Sequence, residues 1–386
     1  MTHPFLNHKG FHALQAHRMT CRIGKLGRVS LSLLALLMAC GQPPAAPPVG
    51  LSFTSYVDPQ RPSWDSSAPR PIDVTLWYPA RAGSVEREWR VAFFRGGMTA
   101  EDAPLPATPQ RFPLVLISHG TGGSSVSMSW LAQALAAHGY IVAAVNHHGN
   151  TAAEARYLPQ GFALWWERAR DLSVLLDNIT HHPTLGERID MNRIGVAGFS
   201  LGGYTALLLA GAKTDRGRWT EFCARHAADP NCTLPEEASF GMAEVIRVIE
   251  SDPRARQSIN RAGDSYRDER IRAAFVLAPV LGPALAPASL SQVRIPVSVI
   301  VGDDDRQAPP EVNAVAIAGQ LRGARLERIP RGTHYMFLTP CTPFGKVVAH
   351  AICADPFGID REQVQRSVGS QAVQFFEAAL GGTASR

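Results

Sequence analysis

Residues 193–211, "RIGVAGFSLGGYTALLLAG", constrain the fold more than any other stretch of this chain. A short apolar run reads as a strand, a Gly-Phe-Ser-Leu-Gly turn follows, and small and aliphatic residues then read as a helix. A strand that becomes a helix so abruptly needs small neighbours at the turn. Gly198 and Gly202 make that room, and Gly203 allows the helix to pack closely. Such a turn is strained and pushes the Ser200 side chain above the sheet. The amino end of the new helix points at the same place, where it favours developing negative charge.

The surrounding sequence supplies the rest of the sheet. From Pro71 onward, short β-branched and aromatic runs alternate with longer helical patterns and no internal repeat is found, the signature of an α/β fold with a mostly parallel central sheet covered by helices. "IDVTLWYP" and "REWRVAFF" read as early antiparallel strands. "PLVLISHG", "YIVAAVNH", "RIGVAGF", "IRAAFVLAP", "IPVSVIVG" and "ARLERIP" read as the later ones. Helices are expected over "SWLAQALAAHG", Leu164 to Ile179, the run after Ser200, and "REQVQRSVGSQAVQFFEAAL". Between Ala212 and Arg270 the pattern changes to dense charge with one amphipathic run, "MAEVIRVIE". This is a helical insertion, either a lid over a pocket or a solvated excursion.

Serine is a weak nucleophile until a base takes its proton. After a turn of this kind the partners follow in the order serine, acid, histidine. Of His226, His334 and His350, only the last two follow a plausible acid. His334, in the glycine turn "IPRGTHYMFL", is the candidate base, and His350, in the apolar run "KVVAHAICAD", is expected to be packed. "VSVIVGDDDRQAPP" ends a strand in three aspartates before a proline turn; Asp305 is the candidate acid, with Asp303 and Asp304 as turn-capping residues. Acyl transfer also needs donors for an oxyanion. The backbone N–H groups of Leu201 and of Thr121, in "LISHGTGGSS", are the candidates.

The glycines around Thr121 do not make a nucleotide loop, because Ser125 replaces the last glycine and no Gly-Lys-Ser/Thr follows. His119 reads as a turn residue. His147 and His148, in "NHHGN", point to opposite sides of a strand and lack a paired carboxylate or cysteine spacing. They are read as lining or flanking the pocket, and neither a metal nor an organic cofactor is required.

The net charge of +5 arises at one end of the chain. Five Lys or Arg and no acid precede Cys40, and the remainder balances 33 basic against 33 acidic residues, so no nucleic-acid face is indicated. Arg22, Lys25 and Arg28 precede "VSLSLLALLMA", which is shorter than the roughly 20 residues of a membrane span. Residues 1–39 therefore read as a signal peptide. "LLMAC" resembles the lipobox of bacterial lipoproteins, with Cys40 as the acylated residue, although Met38 departs from the usual small residue; cleavage nearby by an ordinary signal peptidase is the alternative. Residues 40–50 are a proline-rich tether and 51–386 the folded domain. Export to the bacterial periplasm or cell envelope permits disulfides. Cys223 with Cys232 and Cys341 with Cys353 are the local pairs expected among three possible connectivities.

With these residues in place, the chain resembles the α/β-hydrolases, and more narrowly the bacterial dienelactone-hydrolase-like group related to platelet-activating-factor acetylhydrolase. The resemblance covers most of residues 72–380 and rests on "IDVTLWYPA", "LVLISHGTGGS", "HGYIVAAVNHHGNT", "RIGVAGFSLGGYTAL", "VIVGDDDRQAPP" and "GTHYMFL". Asp305 matches the family's Gly-x-x-Asp before a proline, counted from Gly302. True dienelactone hydrolases use cysteine where Ser200 stands, so their reaction does not carry over. The resemblance implies a serine esterase and leaves the substrate open; short-chain or lipid-like esters, cleaved through an acyl-enzyme, are expected because the Cys40 lipid anchor places the site near a membrane. An amidase or peptidase with the same triad, and a catalytically silent envelope lipoprotein, are the alternatives.

Overall fold

Apolar runs too short to be helices form the middle of one sheet. The computed structural model describes residues 46–381; the expected leader, 1–39, and Cys40 lie outside the described residues. In chain order the strands are β1 (Val49–Pro62), β2 (Pro69–Pro79), β3 (Arg87–Val91), β4 (Phe94–Glu101), β5 (Phe112–Ser118), β6 (Ile141–Val145), β7 (Ile189–Phe199), β8 (Ile271–Leu277), β9 (Val297–Gly302) and β10 (Arg325–Ile329). Across the sheet they run β10-β9-β8-β7-β5-β6-β2-β1-β4-β3. The six strands from β10 to β6 are parallel, and β2 pairs antiparallel with both β6 and β1.

Every residue of β5, β6 and β9 is buried, as parallel strands covered on both faces must be. Helices Glu167–Ile179 and Leu201–Ala210 pack together against the sheet, as do Ser129–Ala136 and Arg361–Leu380. All ten residues of Leu201–Ala210 are buried, so its apolar run needs no polar face.

Three expectations change at the edge of the sheet. The strand pattern starts at Val49, inside the stretch 40–50 read as tether and well before Pro71. In β1 the apolar Phe53 and Val57 point outward while Ser52, Thr54 and Tyr56 are half-buried, so its alternation misleads about which face is covered. Phe53 finds a partner in Trp89, with ring centroids 6.0 Å apart. "REWRVAFF" is not one strand: β3 turns into β4 through Ala92, whose φ of 49° no sequence signal announces. The helix expected over Leu164–Ile179 begins at Glu167, and a separate short helix, Pro159–Ala163, precedes it.

The insertion after Ala212 is built from helices Arg216–Arg225, Met242–Ser251 and Pro253–Asn260 before β8 returns to the sheet. Cys223 and Cys232 are joined within it, and Cys341 and Cys353 are joined beyond the His334 loop.

The glycines of the central turn are sterically obligatory. A Cβ on Gly202 would lie 1.9 Å from the Ser118 carbonyl oxygen, and one on Gly198 would lie 2.0 Å from the Gly202 carbonyl oxygen. Backbone cannot swing aside as a flexible side chain can. Gly202→Ala is expected to lower stability by roughly 1–3 kcal/mol or to abolish folding, read from the urea midpoint at unchanged slope. Gly319→Ala, in a helix with nothing within 4 Å of the added Cβ, should be neutral or stabilising in the same measurement.

Candidate active site

Ser200 occupies the turn between β7 and its helix with φ 56° and ψ −120°, a conformation rarely adopted by any residue with a Cβ. Holding it costs of order 1–3 kcal/mol, which the surrounding packing must supply. The Ser200 N–H donates to the Leu277 carbonyl at 2.9 Å, fastening the turn to β8.

Two loops bring the partners to it. Asp305 follows the end of β9, and His334 follows the turn after β10. These segments approach closely because Gly302 and Gly332 lack side chains: a Cβ on Gly302 would lie 2.2 Å from the Gly332 carbonyl oxygen. His334 Nδ1 donates to Asp305 Oδ2 at 2.7 Å, and Ser200 Oγ donates to His334 Nε2 at 2.9 Å. The direction follows from the ionised carboxylate, which can only accept, leaving the Nε2 lone pair toward the serine. Asp305 Oδ1 accepts from the N–H groups of Gln307 and Ala308, at 3.0 and 2.7 Å. All three residues are buried, none more than 5% exposed. The closing helix steadies the loop, since Gln365 Nε2 donates to the carbonyls of Met336 and Leu338.

The rival residues lie elsewhere. Asp303 pairs with Arg328 at the surface, Asp304 is exposed, and His350 is exposed rather than packed. His350's run fails as a core segment because its apolar neighbours, Val347 and Val348, also face outward.

Leu201 and Thr121 line the same cavity as Ser200 and His334. Among the described residues neither N–H has an acceptor, as befits the first turn of a helix and an open glycine loop. The Thr121 loop is held from both sides: the Gly122 N–H donates to Asn150 Oδ1 at 2.7 Å, and Tyr157 donates to the Gly122 carbonyl at 2.8 Å.

The cavity measures about 1020 Å³. Its walls are largely aromatic and aliphatic, including Phe162, Trp165, Trp219 and Leu338, and the insertion forms its roof. In helix Met242–Ser251 the residues Met242, Val245, Ile246 and Ile249, spaced for one helical face, line the cavity. Part of the insertion thus lines the cavity instead of standing away from it in solvent. Tyr335 donates to Glu237 Oε1 at 3.0 Å, tying the insertion to the residue beside His334.

His147 and His148 do not line the cavity. His148 Nε2 accepts from the Trp64 N–H at 3.0 Å, and its Nδ1 contacts Glu154. His147 Nδ1 donates to Asp171 Oδ2 at 2.8 Å, and Ser118 Oγ donates to His147 Nε2 at 2.9 Å, directly before the Thr121 loop. His119 is also buried; its carbonyl accepts from Arg168, and its Nε2 accepts from the His147 N–H at 3.2 Å. Arg61 and Arg70 complete this buried group by pairing with Asp171 at 2.7 and 3.0 Å. Sequence reasoning missed Asp171, Arg168, Arg61 and Arg70, because they come from distant segments without any spacing signature.

This cluster makes stability depend on pH. Burial and the Arg168 charge pull His147 down to about 3, while the Arg70 and Arg61 charges, working against burial, hold Asp171 well below the carboxylate range. In the unfolded chain an imidazole titrates near ~6.5, so below that pH the unfolded state binds the extra proton and stability falls as acid is added. The contribution of Asp171 is present above its unfolded pKa of about 4 and is lost below it. Urea midpoints should therefore decline from pH 6.5 downward, and His147→Asn should show a shallower decline between about pH 6.5 and pH 4.5, where imidazole titration dominates.

Residues 97–165 match the family described as platelet-activating factor acetylhydrolase, isoform II. Cutinase 2 of Thermobifida cellulosilytica is 31% identical over 151 residues, covering 38% of this chain and 53% of the cutinase. Cutinase cut1 of Thermobifida fusca is 31% identical over 151 residues, covering 38% of this chain and 43% of the relative. The chain thus spans about half the length of the curated relatives it matches. A solved ferulic acid esterase from Streptomyces cinnamoneus shares the fold, with a TM-score of 0.60 and 23% identity over 89% of this chain and 94% of that one. A mostly parallel sheet, a strained serine turn after β7, and partners presented after β9 and β10 together make up the α/β-hydrolase fold, which the chain shares with that solved esterase.

Proposed function

We propose that the protein is a serine carboxylic ester hydrolase. The observation that carries this is the chain of hydrogen bonds from Ser200 through His334 to Asp305, opening on an apolar cavity with two unpaired backbone donors. The similarity to cutinases and to the platelet-activating factor acetylhydrolase family supports it.

In the reaction, His334 Nε2 takes the Ser200 proton as Oγ bonds to the ester carbonyl carbon. The negative charge formed on the carbonyl oxygen is held by the N–H groups of Leu201 and Thr121. His334 then returns the proton to the departing alcohol oxygen as its bond to the acyl carbon breaks. Water repeats the sequence on the acyl-enzyme, releasing the acid and restoring Ser200. Asp305 keeps Nδ1 protonated throughout and stabilises the imidazolium. The wide apolar cavity suits short-chain or lipid-like acyl groups better than charged ones.

The amino-terminal sequence supports export, with lipidation of Cys40 tethering the domain to the cell envelope. Mass analysis of the protein from the membrane fraction should find a diacylglyceryl-modified Cys40 as the first residue, and a soluble, unmodified chain would reject the anchor.

A fluorophosphonate should label the native protein at Ser200 and leave Ser200→Ala unlabelled. Asp305→Asn should keep the fold and lose about 10⁴-fold in kcat, as the wrong imidazole tautomer becomes favoured. An ester panel of graded acyl length, run on wild type and Ser200→Ala together, tests the function itself. Equal rates for the two would end the proposal, and the length at which wild-type turnover stops measures the cavity.

A further inference from the structure

A second cavity, of about 610 Å³, lies where the insertion joins the core. It is walled by the end of β1, the start of β2, helix Glu167–Ile179, helix Pro253–Asn260 and the loop that follows. Six arginines line it: Arg61, Arg70, Arg170, Arg254, Arg261 and Arg267. The lining carboxylates are Glu167 and, exposed at the rim, Asp264.

The arginines outnumber their partners. Arg254 is satisfied by Asp252 and by the carbonyls of Ser63, Trp64 and Ser66, and Arg267 pairs with Glu269 at 2.7 Å. Arg61 is saturated by Asp58, Glu167 and Asp171. Arg70 must share Asp171 with it, while Arg170 and Arg261 must share Glu167, at 3.7 and 3.4 Å. Arg70 is 2% exposed, and among the described residues its Nη1 has no hydrogen-bond partner. A buried guanidinium donor without an acceptor is costly, and a neighbouring excess of like charge raises that cost. Burial and the Arg61 charge likewise hold the Arg170 guanidinium below its ordinary range.

From this cavity and its surplus of arginines we infer a binding site for a phosphate-type oxyanion, free or carried as a phosphate monoester, seated between Arg70, Arg170 and Arg261. Guanidinium forks match phosphate oxygens in pairs, and an anion there supplies the acceptor and the negative charge that the protein lacks. The cavity is larger than a phosphate ion, which leaves room for an organic substituent. Because Arg70 belongs to the core sheet and Arg261 follows a helix of the insertion, the anion would also clamp insertion to core.

Titration calorimetry of the whole protein with inorganic phosphate and with glycerol 3-phosphate, at constant ionic strength in chloride, tests the site. Saturable binding of either probe is expected, with a matching rise in melting temperature that added chloride does not give. Arg170→Ala/Arg261→Ala should weaken binding at least about tenfold, as loss of two charge-assisted contacts implies. Arg261→Gln, a milder change at a half-buried position, should weaken it in the same direction if the double variant does not fold. Arg328→Ala, at a distant surface pair with Asp303 and Glu311, should bind as the wild type does. No saturable binding of either probe, or equal affinity in wild type and the folded Arg170/Arg261 variants, would overturn the inference.

Discussion

The close approach of three backbone segments at Gly198, Gly202 and Ser118 is the constraint on which the rest depends. No side chain fits between the end of β7, the start of its helix and the end of β5. That contact fixes the Ser200 turn at positive φ, and it sets β5 and its following loop against the amino end of the helix. Ser200 and the backbone donors proposed for the oxyanion are therefore positioned by one steric event. Gly302 and Gly332 repeat the device for the acid and the base, letting the turns after β9 and β10 touch. The pair of contacts gathers the carboxyl ends of parallel strands into a site whose side chains have little freedom to drift, which is where much of the catalytic advantage of such an arrangement arises.

Behind the oxyanion loop the chain places a dense group of buried charges where an apolar core would be cheaper. Asp171 is fully buried and accepts from His147, Arg61 and Arg70, while Arg168 donates to the His119 carbonyl. These bonds join helix Glu167–Ile179 to β1, to β2, to the loop after β6 and to the loop that carries Thr121. The group works as a many-point tie between that helix and the strand that leads to the site. Its burial is what makes it directional: in low dielectric, an unpaired member would be far more costly than in water. A neutral His147 is part of that economy, since a further positive charge among three arginines would be unfavourable.

The insertion adds one wall of the cavity. Its amphipathic helix turns apolar residues toward the cavity rather than toward the sheet, which is why Met242 and Ile246 retain exposure. The Tyr335–Glu237 contact and the Trp166–Ser258 contact couple this wall to the His334 loop and to helix Glu167–Ile179. The cavity wall and the positioning of His334 thus meet at neighbouring residues.

Much of this was legible in the amino-acid order. The central strands, the serine turn, the two local disulfide pairs and the three side chains that meet in the site could be read because each follows from local rules. Those rules are apolar runs of strand length, glycines where space is short, and partners following in a fixed chain order. Outside their reach lay β1, whose apolar residues face outward, and the β3–β4 turn, made by an alanine at positive φ. His350 was misplaced and the Asp171 partner of His147 went unseen for one shared reason: whether a side chain is packed, exposed or bonded to a distant carboxylate depends on what the fold brings beside it. The same holds for the insertion and for the arginine-lined cavity. Sequence determined where the chain can turn and which residues can react. Tertiary structure alone decided which charges share a low-dielectric interior and which apolar face looks into the cavity, because burial belongs to the whole packed molecule rather than to any one segment.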